Sequence, residues 1–262
     1  MEINFKKKFG QNFLTDGNLL SAIVSDSGVS SSDVVVEVGP GAGALTAKLC
    51  EKAKFVYAFE IDTELEPVLK QNLAEYNNVE VVFKDFLNIS TDELAGIVGN
   101  DFAVVANLPY YITSPLISKF LTCGLNVKSL TIMVQKEVGD RIVAKPKNKD
   151  YGVLSIIIQL CADTKITRVV GRQMFTPAPN VDSCIVHCSI TNIPKNYNQI
   201  VGFVKQCFSA RRKTLSNNLS KIYSKEQIAQ AFALNSINPA ARAEELSPQE
   251  FVKLYETFVK IV

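Results

Sequence analysis

The stretch "VVVEVGPGAGALTAKLCEKAKFVYAFEID" (34–62) decides the fold. Its first five residues, "VVVEV" (34–38), form a continuous β-branched run, as expected of a strand buried on both faces. "EVGPGAG" (37–43) follows with glycines at 39, 41 and 43, where the backbone can approach a ligand with no Cβ in the way. "ALTAKLCEKA" then has helical spacing, and "FVYAFE" (55–60) is a second buried strand. Strand, glycine turn, helix and strand in that order make a parallel β-α-β unit.

The same alternation continues outward. "VEVVF" (79–83), "FAVVA" (102–106) and "SLTIMVQ" (129–135) are further apolar runs, with "ELEPVLKQNLAEY" and "PLISKFLTCG" as crossover helices. The spacing predicts an α/β fold with helices on both sides of a parallel sheet. "YGVLSIIIQLCAD" (151–163) reads as a strand by its β-branched content or as a buried helix by its length. "TKITRVV" and "VDSCIVHCSI", separated by "GRQMFTPAPN", can pair as an antiparallel edge. After "NIPKNYN" the pattern turns helical in "QIVGFVKQCFSARRKTLSNNLSKI", "KEQIAQAFALN" and "SPQEFVKLYETFVKIV", the last opened by a capping box of Ser247 and Glu250. A boundary near residue 194 divides a first domain, 1–194, from a second, 195–262.

With 262 residues, 47% of them hydrophobic, the chain can bury a sizeable core and a small second domain. No apolar run approaches the ~18 residues of a membrane span. The opening "MEINFKKKFGQNFL" has lysines but no apolar signal segment after them. Cysteines at 50, 123, 161, 184, 188 and 207 form no C-x-x-C pair, and His187 is the sole histidine. The expectation is therefore no metal site, reduced buried thiols and a cytoplasmic protein. The net charge of +2 is unevenly spread. Residues 1–194 carry 18 Lys+Arg against 21 Asp+Glu, while 195–262 carry 10 against 5. A polyanion contact and a solvated helical surface explain that excess equally well.

Ligands of open α/β sheets sit at the carboxyl ends of the strands. There the sequence places the glycine turn, then Glu60, able to bind ribose hydroxyls, then Asp85, able to accept from an adenine amine. Each has a plainer reading, as a tight turn or a helix cap; together they point to an adenosine-containing ligand. The glycine spacing is G-x-G-x-G, without the third glycine position of the dinucleotide fingerprint. The fourth strand ends in Asn107, Leu108, Pro109 and Tyr110. The Asn107 side-chain oxygen and the Leu108 carbonyl are two acceptors, Pro109 stiffens the turn, and Tyr110 offers a flat face. Two acceptors and a ring suit a base with an exocyclic amine.

"NLPY" resembles the signature of amino methyltransferases, and the chain is similar throughout to the ribosomal RNA adenine dimethyltransferase family. The likeness runs through "KKKFGQNFL", "EVGPGAGALT", "FEID", "KDFL", "NLPYYITSP", "FTPAPNVDS", "RRKTLSNNL" and "ARAEELSPQEF". It implies a Rossmann-like, seven-stranded domain that binds S-adenosyl-L-methionine, with a small C-terminal helical domain that binds rRNA. It makes 151–163 a helix and the two later runs the last strands of the sheet. Residues 1–16 become a basic arm, with Asn12 and Leu14 closing over the cofactor. Gly39 lies against the methionine part, Glu60 holds the ribose and Asp85 the adenine amine, with Gly41, Ile61 and Phe86 also at the cofactor. Asn107 bridges cofactor and target, and Phe175 supplies a second aromatic face, although a core position explains Phe175 as well.

The implied reaction is in-line methyl transfer to adenine N6, repeated to dimethylate two adjacent adenines in a hairpin near the 3′ end of 16S rRNA. The implied partner is the immature small subunit, met by a monomer, with no metal and no membrane. Lys145, Lys147 and Lys149 in "AKPKNKDYG", with the basic tail, would grip phosphates. Three alternatives stand beside this reading. They are a 23S rRNA adenine methyltransferase of the macrolide-resistance type, an assembly factor acting mainly by binding, and an NAD-linked oxidoreductase, which "NLPY" and the glycine spacing disfavour.

Overall fold

The computed structural model describes residues 13, 14 and 16–261. Two compact units divide the chain: 1–139 with 163–190, and 140–162 with 191–262.

The first unit opens with β1 (Phe13–Leu14) and α1 (Gly17–Ser27). The Asp16 carboxylate accepts from the Leu19 amide at 2.8 Å to start α1, and Gly28, at φ 70°, ends it. Then β2 (Val34–Val38), α2 (Ala44–Cys50), β3 (Phe55–Glu60), α3 (Glu66–Asn72), β4 (Val79–Phe83), α4 (Thr91–Val98), β5 (Asp101–Asn107), α5 (Thr113–Thr122) and β6 (Asn126–Gln135) alternate as expected, with α4 a helix the sequence pattern did not single out. α6 (Lys136–Val143) runs out of this unit, and α7 (Val153–Gln159) lies in the other. The chain returns with β7 (Ala162–Val170), the short β8 (Phe175–Thr176) and β9 (Ser183–Ile190).

Seven strands form one sheet in the order β4-β3-β2-β5-β6-β9-β7. β3 pairs parallel with β2 and β4, β5 pairs parallel with β2 and β6, and β9 runs antiparallel to β6. The chain therefore builds outward from β2 in one direction, then crosses over and continues from β5 in the other. The switch lies between β2 and β5, the usual place for a ligand crevice. Within the β5–β6 ladder the register shifts: Phe102 faces Val127, but Val104 faces Leu130. β6 carries one extra residue there, a β-bulge. Val35, Val36, Val56, Ala58, Val104, Val105 and Leu130 are buried, which explains why these strands read as unbroken apolar runs.

The second unit is helical: α7 with α8 (Tyr197–Cys207), α9 (Leu215–Leu219), α10 (Lys225–Leu234) and α11 (Pro248–Ile261). Its core gathers Tyr151, Ile156, Val204, Leu215, Phe251 and Leu254. The Tyr151 hydroxyl donates to the Leu246 carbonyl at 2.9 Å, so the buried ring keeps its polar end satisfied. The capping box forms: Ser247 Oγ accepts from the Glu250 amide, and the Glu250 carboxylate accepts from the Ser247 amide at 2.7 Å. The long run 199–222 is not one helix. It breaks after Cys207 and resumes at Leu215, where the Thr214 hydroxyl caps a new start.

The compact units place the boundary differently from a single cut near 194. Residues 140–162 belong with the C-terminal helices, through Tyr151 and a hydrogen bond from the Lys147 amide to the Glu244 carbonyl. Counted by these units, the second carries 14 Lys+Arg against 7 Asp+Glu and the first 14 against 19.

Candidate active site

The sheet order sets four strand ends side by side: β4 ending before Asp85, β3 ending in Glu60, β2 ending before Gly39, and β5 ending in Asn107. At ~4.8 Å between neighbouring strands the row is ~14 Å long. Residues separated by up to 68 positions in sequence thus line one edge.

Gly39 and Gly41 take φ values of 75° and 60°, a region that favours glycine. The Gly39 amide donates to the Phe59 carbonyl at 2.9 Å, and the Asn72 side chain donates to the Ala42 carbonyl at 2.8 Å. These bonds hold the loop in place from β3 and α3. A Cβ on Gly39 would lie 3.6 Å from Cδ of Pro109. The glycine turn and the "NLPY" turn therefore share a wall.

Glu60 is only 3% exposed. Its Oε1 accepts from the amides of Ile61 and Asp62, both at 2.9 Å, and its Oε2 accepts from the Gly41 amide at 3.3 Å. Burial raises its pKa, and the amide bonds oppose the rise. A carboxylate has about four accepting positions. Oε2, with one long bond, is the oxygen with capacity for a ribose hydroxyl. Ile61 beside it is 49% exposed, an apolar face at the rim. The Asp85 carboxylate caps the turn after β4, accepting from the Leu87 amide at 3.0 Å and the Asn88 side chain at 2.8 Å. The Lys119 ammonium donates to the Leu87 carbonyl at 2.8 Å and holds that turn from α5. Phe86 is 2% exposed and packs on Phe59 and Phe120, so its ring belongs to the core.

In the "NLPY" turn, Asn107 is half-buried at the end of β5, opposite Met133. The Leu108 amide donates to the Met133 carbonyl at 3.3 Å. The turn's own hydrogen bonds, from the Ile112 amide at 3.1 Å and the Thr113 hydroxyl at 3.3 Å, go to the Pro109 carbonyl and not to that of Leu108. The Tyr110 hydroxyl lies 2.7 Å from Oγ of Ser183, which is fully buried in β9. Burial raises the Tyr110 pKa against that bond, so the phenol stays protonated.

Asn12 and the basic arm lie outside the described residues. Leu14 is buried and pairs in β1 with Phe175 in β8. Both belong to a core cluster with Leu20, Ile23, Val105 and Ile185. Phe175, at 4% exposed, packs as a core residue, and its ring would have to leave that packing to stack on a base.

Two residues beside the candidate site escape the sequence reading. Ser183 looks like any strand residue until its hydroxyl meets Tyr110. Glu37 stands one strand residue before the glycine turn and is 1% exposed. Its Oε2, like the buried hydroxyl of Thr46, has no hydrogen-bond partner among the described residues. Burial pushes Glu37 up to about 8, the neighbouring Thr46 hydroxyl opposing the rise and the carboxylate of Glu60 adding to it, so Glu37 holds its proton at neutral pH. Among the described residues no cluster of His, Cys, Asp and Glu is arranged to hold a metal, and no helix is long and apolar enough to cross a membrane.

A family model of ribosomal RNA adenine dimethylase matches residues 2–260. The Ribosomal RNA small subunit methyltransferase A of Clostridium acetobutylicum is 43% identical over 95% of this chain and 92% of its own length. Its counterpart in Enterococcus faecalis is 42% identical over 98% of this chain and 91% of its own. Among solved structures, a dimethyladenosine transferase from Plasmodium falciparum superposes with a TM-score of 0.79 at 28% identity, covering 95% of this chain and 98% of that one. The 23S rRNA methyltransferase ErmE superposes with a TM-score of 0.73 at 25% identity, covering 95% and 100%.

Proposed function

The chain belongs to the ribosomal RNA adenine dimethylase family, and from that premise we propose that it dimethylates N6 of two adjacent adenines near the 3′ end of 16S rRNA. The identity of 42–43% to small-subunit enzymes, against 25% to the 23S enzyme, favours the small subunit as target. The observation that carries the chemistry is the shared wall: Gly39 and Pro109 hold the glycine turn and the two-acceptor turn in van der Waals reach.

S-adenosyl-L-methionine, when bound, supplies an electrophilic methyl group. The protein fits it along the row of strand ends. Gly39 and Gly41 keep Cβ atoms away from the methionine part, Oε2 of Glu60 accepts a ribose hydroxyl, and Ile61 covers an apolar face. Asp85 accepts from the adenine amine through the lone pairs its cap leaves over. Phe86 shapes that end from below by its backbone.

On the target side, the adenine N6 lone pair is spread into the ring and is a poor nucleophile. The Asn107 oxygen and the Leu108 carbonyl accept from the two N6 protons and favour a pyramidal nitrogen with its lone pair directed at the methyl. Tyr110, held by Ser183, presents its ring to the base. No strong base is required, because the amine becomes acidic once alkylated and releases its proton to solvent. The rate then comes from positioning and preorganised acceptors. Lys145, Lys147 and Lys149, with the basic residues of the C-terminal helices, contact phosphates. The substrate is rRNA in the immature small subunit, and the enzyme works as a monomer in the cytoplasm.

The test is incubation of the protein with methyl-labelled S-adenosylmethionine and either immature small subunits or large-subunit rRNA, followed by mapping of the modified bases. Two adjacent dimethyladenines in 16S rRNA are expected. Label confined to 23S rRNA, or none, would overturn the reading.

A further inference from the structure

Beyond the "NLPY" turn, the same edge of the sheet has a second concavity, of about 500 Å³, lined by Gln135, Lys136, Glu137, Arg172, Asn180, Val181 and Asp182. It lies wholly within the sheet unit. Its position follows from the register. Gln135 ends β6 two residues beyond Met133, the partner of Asn107, and pairs with Ser183, the partner of the Tyr110 hydroxyl. The cavity therefore begins where the Tyr110 ring is anchored.

The cavity is built rather than incidental. Asp182 ties its walls together: its carboxylate accepts from the Arg172 amide at 3.0 Å, and its carbonyl accepts from the Lys136 amide at 2.9 Å. α6 approaches β9 so closely at Gly139 that a Cβ there would collide with Sγ of Cys184, which fixes the helix that carries Lys136 and Glu137. Oδ1 of Asp182 is taken by the Arg172 amide, and the exposed guanidinium of Arg172 has no ion-pair partner among the described residues. Gln135 and Asn180 bring two side-chain amides, each able to donate and accept. A planar, permanently charged fork beside two amides suits a phosphodiester and the edge of a base. The volume falls in the range of small-molecule sites.

We propose that this cavity is a second RNA subsite, which holds the nucleotide adjoining the target adenine while that adenine lies against Tyr110. Arg172 takes its phosphate, and Gln135 and Asn180 read its base edge. The proposal rests on the rRNA methyltransferase reading above. An RNA that is unpaired at its target must present the neighbouring nucleotide close by, and this cavity starts at the strand pair that anchors the Tyr110 ring. The subsite fixes which adenine enters the catalytic turn, because the neighbour must fit beside it.

The experiment uses the full chain, immature small subunits and methyl-labelled S-adenosylmethionine. It compares wild type with Arg172→Ala, Asn180→Ala and Lys128→Ala. Lys128 removes the same charge from the amino-terminal end of β6, the opposite edge of the sheet. Cofactor affinity by calorimetry reports whether each variant is folded with its cofactor site intact. Arg172→Ala and Asn180→Ala should each raise KM for subunits about fivefold or more, with kcat within about twofold and cofactor affinity unchanged. Arg172→Lys should recover part of the loss. Unchanged KM in both alanine variants overturns the subsite. So does an equal rise in Lys128→Ala, which would mark a bulk charge effect. A wild-type protein that leaves small subunits unmethylated fails the underlying functional reading instead, and is distinguished by that control.

Discussion

The sheet unit and the helical unit use charge in opposite ways. In the sheet unit, acids outnumber bases by five, and the acids that matter are buried or held by backbone amides: Glu37 at 1% exposure, Glu60 at 3% with three amide donors, Asp85 capping its turn. In the helical unit, bases outnumber acids by seven, and Lys145, Lys147, Lys149, Arg211, Arg212 and Lys213 stand in solvent. The Arg211 guanidinium donates to the Lys149 carbonyl, so two basic segments 62 residues apart form one surface. Chemistry on one amine requires each acceptor at a fixed place, and a misplaced group costs its whole contribution. Grip on a polyphosphate is a sum over many weak contacts, and any single one is dispensable. Substitutions should therefore be steep in the first region and shallow in the second.

The steepest expected loss is at Asn107. If the Asn107 oxygen accepts from the target amine, Asn107→Ala removes an acceptor needed in the transition state, and kcat should fall about 100-fold or more. Single-turnover methyl transfer measures it, and a variant that keeps a third of the rate would break the contrast at its strongest point. Next is Glu60→Ala, which should weaken cofactor binding about tenfold or more, a charge-assisted bond being worth roughly 1.5–3 kcal/mol. Calorimetry with S-adenosylmethionine is the check. Only the ribose bond to Oε2 is needed for this size of effect; a much larger loss would mean that the amide bonds from Gly41, Ile61 and Asp62 also shape the loop.

Glu37 sharpens the comparison through pH. Its folded pKa, about 8, lies above its ordinary value of 4.5. The folded state therefore keeps a proton that the unfolded state loses between those values. Stability falls as pH rises from about 4.5 to about 8, by at most ~1.4 kcal/mol per unit from this group. Urea denaturation of Glu37→Gln should show a smaller decline over that window than wild type; parallel curves would remove Glu37 as its source.

The hydroxyl of Tyr110 gives a smaller effect. Stacking by itself needs no hydroxyl, but the bond to Ser183 orients the ring. Tyr110→Phe and Ser183→Ala should each cost roughly 0.5–1.5 kcal/mol, about two- to tenfold in rate. The double variant should be little worse than either alone, because both remove one bond. Strictly additive losses would show that the two groups act separately. The smallest effect belongs to the helical unit: Lys147→Ala should weaken subunit binding only about twofold and lower the salt slope by about one. A tenfold loss from that one lysine would mean that the basic surface is read as specifically as the catalytic turn.

Much of this was legible in the sequence because the central strands, buried on both faces, leave long apolar runs, because even the part-exposed edge strand β4 keeps β-branched residues, and because the strand ends carry their acids in the open text. "VVVEV", "FVYAFE" and "VEVVF" coincide with β2, β3 and β4 residue for residue. The partners of those groups were not legible. α6 joins the C-terminal unit to the sheet, and residues 140–162 pack with helices a hundred positions away through Tyr151, a contact no local pattern announces. The break after Cys207 hides because "SARRKTL" keeps helical composition while Thr214 caps a new helix. Phe86 and Phe175 follow aromatic positions of the family signature, yet both rings lie in the core, where chain composition cannot separate a base contact from packing. The proton on Glu37 depends mainly on burial, and a strand acid in text does not show its burial.

The bulge in β6 makes the edge of the sheet sensitive to chain length far from it. Side chains alternate faces along a strand, so one residue more or less exchanges every later face. The extra residue between Val127 and Leu130 sets the frame for Met133, opposite Asn107, and for Gln135, opposite Ser183. Those positions lie about 13 and 20 Å further on, at ~3.3 Å per residue. A one-residue deletion at 128 or 129 would remove the bulge and let both halves of β6 keep their partners in β5, whereas one more inserted residue would have to enlarge the bulge or turn Met133 and Gln135 to the other side. Length at the amino end of β6 is therefore expected to act in one direction: a lost residue costs only the bulge, while a gained one reaches the strand end that carries the candidate site.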